Sequence, residues 1–321
     1  MHPAFSVIFF TTASGAGFGL WAWFGLLALT GTLPSRGASL LVLAVGALLA
    51  SAGLFASLAH LGQPQRAWRA FSQWRSSWLS REGIVAVASF APMLWLAWLV
   101  WTFPTENLHD SSAATVYVGL YRVAGALLLA LSLACVACTA MIYASLKPIP
   151  AWRHSLVLPI YLVFSLFTGG LVLSAVLALS GAALGNIASF GVMLGAVVAW
   201  RLKRRAWRIL DEGALPVTRN AALGLPEGRV VRVFERPHTE ANYLLKEMGY
   251  VLARKHAARL RSLAVLLFAF VPALLALPAW LFVHLDPAPW LVAAAISALV
   301  GTAVERWLFF AEARHLVTLY Y

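Results

Sequence analysis

Residues 115–143 read TVYVGLYRVAGALLLALSLACVACTAMIY, and after Arg122 no charged side chain interrupts the run. A helix rises 1.5 Å per residue, so about 20 apolar residues are needed to cross a hydrocarbon layer of roughly 30 Å. Soluble core helices do not need an uncharged run of that length, so this segment is read as a membrane span. Working outward, stretches of the same kind fall at 5–31, 38–60, 83–103, 116–145, 155–180, 184–201, 262–284 and 290–313. The expected architecture is therefore an all-α polytopic membrane protein with eight transmembrane helices, forming a single membrane domain over 1–321. The first stretch is not expected to be a cleaved signal peptide, because it has no charged start, is too long and lacks a clean small-residue cleavage site.

Composition points the same way. Apolar residues make up 61% of the 321-residue chain and charged residues 11%, against about 45–50% and about 25% in a soluble protein. A water-soluble fold could not cover that much apolar surface with so few charges. A disordered, collagen-like or disulfide-rich secreted chain is excluded as well, since the two cysteines, Cys135 and Cys138, both lie within one span.

The formal net charge is +12. In a soluble protein this would suggest nucleic acid, but here the basic residues occupy loops between spans, and no nucleic-acid partner is expected. Alternating the spans places 61–82, 146–154, 202–261 and both termini on one side. All Lys and Arg fall there except Arg36 and Arg122. The positive-inside rule makes that side the cytoplasm, so both termini are expected to be cytoplasmic. The segment 202–261 is the one soluble-looking region. It opens on Arg201, Lys203, Arg204, Arg205 and Arg208, is broken by Pro216, Pro226 and Gly228, and includes a strand-like stretch, Val230–Phe234. Residues 239–261 read as a helix leading into the seventh span. About sixty residues suit a cytoplasmic docking loop better than a catalytic domain.

Ionisable groups at membrane depth are costly and mark functional positions. His60 closes the second span and Glu82 opens the third. Between them lies an arginine-rich loop in which Phe71, Trp74 and Trp78 share one helical face, as in an interfacial helix with tryptophans at headgroup level. Anchoring explains that pattern; His60 and Glu82 bracketing a pocket at the membrane boundary is the functional reading. Such a pair could bind a quinone head group, because an imidazole donates and accepts protons and a nearby carboxylate can relay them. Haem is not expected, since no two histidines face each other at matching depth. Cys135 and Cys138 read as small packing residues, with no partners for a metal. Ser14, Gly15, Gly17 and Gly19 permit close helix approach, and Gly15 could leave room for a flat ring. Glu305 and Arg306 read as an internal ion pair or a link to the interfacial loop, Arg122 as a residue that snorkels or pairs with a headgroup, and Tyr143 as packing with a hydroxyl available to a ligand.

Four stretches carry a resemblance: HPAFSVIFFTTASGAGFGL at 2–20, HLGQPQRAWRAFSQWRSSWLSREG at 60–83, MIYASLKPIPAW at 141–152 and ERWLFFAEARH at 305–315. Together they resemble the dimethyl sulfoxide reductase anchor subunit family, itself similar to polysulfide reductase membrane subunits. The resemblance implies an eight-helix, haem-free subunit of the bacterial inner membrane. It would anchor a molybdopterin catalytic subunit and an iron–sulfur cluster subunit and exchange electrons with ubiquinone or menaquinone. His60 matches the family's quinol-site histidine and Glu82 its acidic residue, and Arg66, Trp74, Gly15 and Tyr143 are the further expected quinone contacts. Two sub-types share this anchor. One reduces dimethyl sulfoxide outside the membrane and oxidises menaquinol; the other oxidises sulfite in the cytoplasm and reduces quinone. The cytoplasmic basic face and the stretch ERPHTEANYLLKEMG at 235–249 resemble the sulfite type. A transporter remains a different class of reading, against which polar residues gather at one boundary rather than at the midplane. A purely structural anchor is a third.

Overall fold

The computed structural model describes residues 4–59, 61–103, 114–182, 186–213, 217–232, 234–235, 256–282 and 284–319. Nine helices follow in chain order among them: α1 (Phe5–Thr30), α2 (Arg36–Leu58), α3 (Trp78–Thr102), α4 (Ala114–Ala144), α5 (Val157–Leu179), α6 (Asn186–Glu212), the single turn α7 (Arg219–Ala222), α8 (Ala257–Leu281) and α9 (Ala288–Ala311). Short 3-10 helices cover Pro64–Gln73 and Leu316–Leu319. Seven of these helices, α1 to α5, α8 and α9, are long and apolar enough to cross a membrane. Of the expected span 184–201, residues 186–201 form the N-terminal part of α6. That helix does not end where the apolar run ends but continues through the basic run to Glu212.

Some boundaries differ from the sequence reading. The third span begins at Trp78, where Ser77 caps the helix by accepting from Ser80 N. Glu82 is therefore in the second turn rather than at the entrance. Of the strand-like stretch Val230–Phe234, the described residues, which leave out Val233, do not form a strand. Among the described residues there is none, and Val230 and Phe234 are open to solvent. An isolated β-prone segment has no neighbouring edge to supply its ladder bonds. The helix read over 239–261 lies outside the described residues as far as 255, and Ala257–Arg261 belong to α8.

Helix α1 is the axis of the bundle. It packs against α2, α4 and α5, while α3 packs on α4, α5 on α9, and α8 on both α6 and α9. Small residues make these approaches possible. A Cβ on Gly169 would sit 2.3 Å from the carbonyl carbon of Gly19, so α1 and α5 touch backbone to backbone. Without water, backbone and hydroxyl groups are satisfied internally. Thr11, Ser14, Thr168 and Thr302 donate to carbonyls one turn back, and the Trp21 and Trp23 indoles donate to Leu43 O and Leu166 O. A π-turn over Leu266–Phe270 widens α8 where Gly301 presses against Phe268 N, and Ser297 donates to Leu267 O at 2.8 Å.

The described residues near the two termini meet at one end of the bundle. Ile8 near the start packs with Ile149, Trp152, Phe310 and Ala313. Leu316 N bonds Pro148 O at 3.0 Å, and Arg219 reaches Leu319 O at 2.6 Å.

Candidate functional site

The arginine-rich loop is fastened onto the start of α3. Pro64 opens its 3-10 helix. Ser80 Oγ donates to Ala70 O. Arg81 donates from Nε to Trp74 O at 2.9 Å and from Nη2 to Arg75 O at 2.6 Å, with its guanidinium 4.3 Å from the Trp78 ring centre. Phe71 lies over Gly83 so closely that a Cβ there would come within 3.1 Å of the ring. Trp68 and Trp74 remain exposed on the outer surface, as a headgroup-level anchor requires.

Under this cover sits Glu82, 4% exposed. Its carboxylate accepts a hydrogen bond from Thr139 Oγ1 on α4, and the same hydroxyl lies 3.1 Å from Cys135 O. Cys135 and Cys138 are free thiols on the helix that supplies Thr139. The carboxylate is also within electrostatic reach of Tyr143 and Tyr161.

Tyr143 stands in an aromatic box. Its ring centre is 5.2 Å from that of Phe310, 5.4 Å from Trp152, 5.7 Å from Phe309 and 6.0 Å from Tyr161. Gly15 is different from Gly17 and Gly19, which are consumed by helix packing. A Cβ on Gly15 would meet nothing within 4 Å, and Gly15 borders an internal cavity that Thr139 also lines. Of the expected site residues, then, Glu82, Tyr143 and Gly15 are drawn towards one buried region. Arg66 and Trp74 are on the exposed loop surface. His60 lies outside the described residues.

A second set of buried charges faces this one across the same end of the bundle. Lys203 Nζ is 2.6 Å from Glu305 Oε1, with side-chain exposures of 4% and 0%, and Arg306 Nε is 3.4 Å from Glu305 Oε2. The Arg306 guanidinium also lies 3.8 Å over the Tyr161 ring. Glu305 and Arg306 thus form the expected internal pair, but its shorter contact is Lys203, which the sequence placed in a solvated basic run. Nearer the surface, Arg261 joins Asp211 at 2.6 Å and Glu312 at 2.9 Å. Burial pushes the Glu312 carboxyl above the usual range, with Arg261 pulling against it. Burial also holds His154 and His315 below the ordinary imidazole value, and each accepts a backbone N–H at Nδ1.

Two cavities border these groups. The larger, about 430 Å³, opens beside α5, α6 and α9 and is lined by Tyr161, Lys203, Trp207, Arg261 and Glu312 among others. The smaller, about 10 Å³, is inside the bundle between α1, α4, α5 and α9. Sequence reasoning missed Thr139, Tyr161 and Lys203. Thr139 and Tyr161 are uncharged and sit in apolar runs, where a hydroxyl is ordinarily satisfied by its own helix. The only signal for Lys203 was that α6 has no breaker before the basic run.

Two comparisons bear on this arrangement. The family model described as DMSO reductase anchor subunit (DmsC) matches residues 1–311. The chain is also similar to a sulfite dehydrogenase subunit of Allochromatium vinosum, 33% identical over 333 aligned positions that cover 100% of this chain and 99% of the relative.

Proposed function

The chain belongs to the DMSO reductase anchor subunit family, and on that premise we propose that it is the membrane anchor and quinone-reactive subunit of a molybdopterin and iron–sulfur oxidoreductase. In this reading α6 is the eighth span, the bundle lies in a bacterial inner membrane, and the end holding both termini faces the cytoplasm. The basic charge of that end supports the orientation. The likeness to a sulfite dehydrogenase subunit supports electron flow from cytoplasmic sulfite oxidation to quinone. The molybdopterin and the iron–sulfur clusters belong to partner subunits docked on this face and on the loop between α6 and α8.

The observation that carries the reading is the buried Glu82 carboxylate. A charge-bearing group under a fastened loop, held by Thr139 and beside an aromatic box, has no packing role that an apolar residue would not fill better. Quinone is the lipophilic substrate, and reducing it takes two electrons and two protons. Glu82 and His60 are the groups assigned to its head group: His60 to bind a carbonyl oxygen and pass a proton, Glu82 to hold and deliver one. The exposed Trp68, Trp74 and neighbouring arginines hold the loop at headgroup level, and Arg66 is assigned to the partner or to lipid phosphates.

The test is turnover of the purified three-subunit complex. Substituting His60→Ala or Glu82→Gln should reduce quinone-linked sulfite oxidation by about a hundredfold or more. Turnover with an artificial dye that takes electrons directly from the partner subunits should be retained. If quinone-linked turnover survives in both variants, the site assignment is wrong. If the purified chain brings no molybdopterin and iron–sulfur subunits with it, the anchor reading is wrong.

A further inference from the structure

Among the described residues, Glu82 is covered on its loop side. The loop is bonded to α3 through Ser80 and Arg81, and Phe71 covers Gly83. A carboxyl that gives up a proton there must recover one by another route. The only polar contact its carboxylate makes among the described residues is with Thr139, and Thr139 borders the internal 10 Å³ cavity.

Most of the surface of that cavity is apolar, with hydroxyl residues and one guanidinium reaching it. Thr11, Thr12, Ser14, Ser165, Thr168 and Thr302 line it along with Tyr161 and Arg306. Its volume is about that of one water centre, and a buried water needs two to four polar partners. Among the described residues, Thr12 Oγ1 is buried there without a hydrogen-bond partner, and the Tyr161 hydroxyl has only Arg306, the guanidinium lying against the Tyr161 ring. Leaving such groups unsatisfied is costly in a low-dielectric interior, and a bridging water would satisfy them. Tyr161 also lines the 430 Å³ cavity that opens at the chain-ends face beside Lys203 and Glu312. Its side chain therefore borders both cavities.

We propose that Tyr161, the small cavity and Thr139 form a buried proton relay joining Glu82 to the open cavity at the chain-ends face. It deepens the quinone-reactive reading above and rests on it. Each passage moves one proton and no electrons. The Glu82 O–H breaks as an O–H forms on the quinone substrate, whose electrons come from the iron–sulfur partner. Thr139 then donates its proton to the Glu82 carboxylate and takes one from the cavity water, which is replenished through the Tyr161 hydroxyl from the open cavity. Hydroxyls and water both donate and accept, so no member changes net composition. Thr139 is suited to the exchange, because its single proton already has two acceptors within reach, Glu82 Oε1 and Cys135 O. Arg306 lines the small cavity and is paired with Glu305, which Lys203 holds in turn.

The experiment uses the whole complex in quinone-containing vesicles and reads the ratio of quinone-linked to dye-linked turnover. Thr139→Val and Tyr161→Phe keep volume and remove only the hydroxyl. Both should lower the ratio by about a hundredfold, with the quinone KM unchanged. Thr139→Ser should restore it, and millimolar azide or formate, small weak acids that carry protons past a broken relay, should recover part of the loss. Redox-induced infrared difference spectra read the Glu82 carboxyl itself, its band assigned by its loss in Glu82→Gln. The band's proton–deuteron exchange should slow in both hydroxyl-deleted variants. If either variant keeps the wild-type ratio and exchange rate while wild-type quinone turnover is intact, the relay is refuted and the quinone reading stands. A fall in ratio with raised KM and no rescue by weak acids also refutes it. Absence of quinone-linked turnover in the wild-type complex would overturn both.

Discussion

Lys203→Met is the substitution with the clearest expected cost. Lys203 and Glu305 are 2.6 Å apart at 4% and 0% exposure, so neither charge is screened by water. Removing one partner of a buried pair costs roughly 3–5 kcal/mol, because the remaining charge keeps its desolvation penalty and loses the attraction that offset it. Here Arg306 remains 3.4 Å from the other carboxylate oxygen, which retains part of the compensation and places the expected loss near ~3 kcal/mol. For a long chain, 1 kcal/mol moves the melting midpoint by about 2 °C, so Lys203→Met should melt about 6 °C below wild type. The double variant Lys203→Met/Glu305→Gln removes both charges and should recover part of that loss. Arg204→Met, an exposed neighbour in the same run, should stay within about 1 °C. The assay is fluorescence-detected melting of the detergent-solubilised protein with the four forms side by side. Lys203→Met melting with wild type, or the double variant melting below the single, would refute the argument that this lysine is a buried counter-ion.

Two further outcomes follow from the geometry. Gly169→Ala places a methyl 2.3 Å from the Gly19 carbonyl carbon, and the α1–α5 crossing must open, at a cost of at least about 1–3 kcal/mol. Gly37→Ala, where a Cβ meets nothing within 4 Å inside α2, should instead raise the midpoint slightly, and the opposite signs are read in the same melting assay. His154 and His315 are held below the ordinary imidazole value by burial. The unfolded chain therefore binds more protons in the interval between their folded and ordinary values, so stability rises with pH across it and is lost as pH falls. Melting midpoints should decline from about pH 7.5 to about pH 5.5, and the decline should be shallower in His154→Gln/His315→Gln. Glu312, raised by burial, has the opposite sign: its contribution is lost as pH climbs above the usual carboxylate range.

How legible was this chain? Seven of the eight expected spans were readable because apolar length is a local property, and the hydrocarbon thickness sets the scale against which it is judged. Loop charge was equally local, and the described residues near the two termini do share one end of the bundle, as the alternation of spans required. Residues 202–212 read as loop because cations are normally solvated. In the fold they continue α6, and Lys203 turns inward to a carboxylate far along the chain on α9. The β-branched run near Val230 read as a strand from propensity alone, and without a pairing edge among the described residues the propensity had nothing to act on.

The same division holds at the site. Glu82 stood out in the sequence because an acid is costly beside lipid, whatever surrounds it. Gly15, Gly17 and Gly19 looked alike there; tertiary contacts alone separate the two that pack helices from the one that borders a cavity. Thr139 and Tyr161 carried no signal, since a hydroxyl in a span can bond its own helix and remain mute. Hydropathy and charge are sums over neighbours in the chain, and the sequence by itself determined the membrane class, seven of the apolar segments and the presence of an acid near the start of the third. Which hydroxyl meets that acid, which lysine is buried and where a water can sit depend on side chains brought together from α1, α3, α4, α5, α6 and α9, and only their packing decided them.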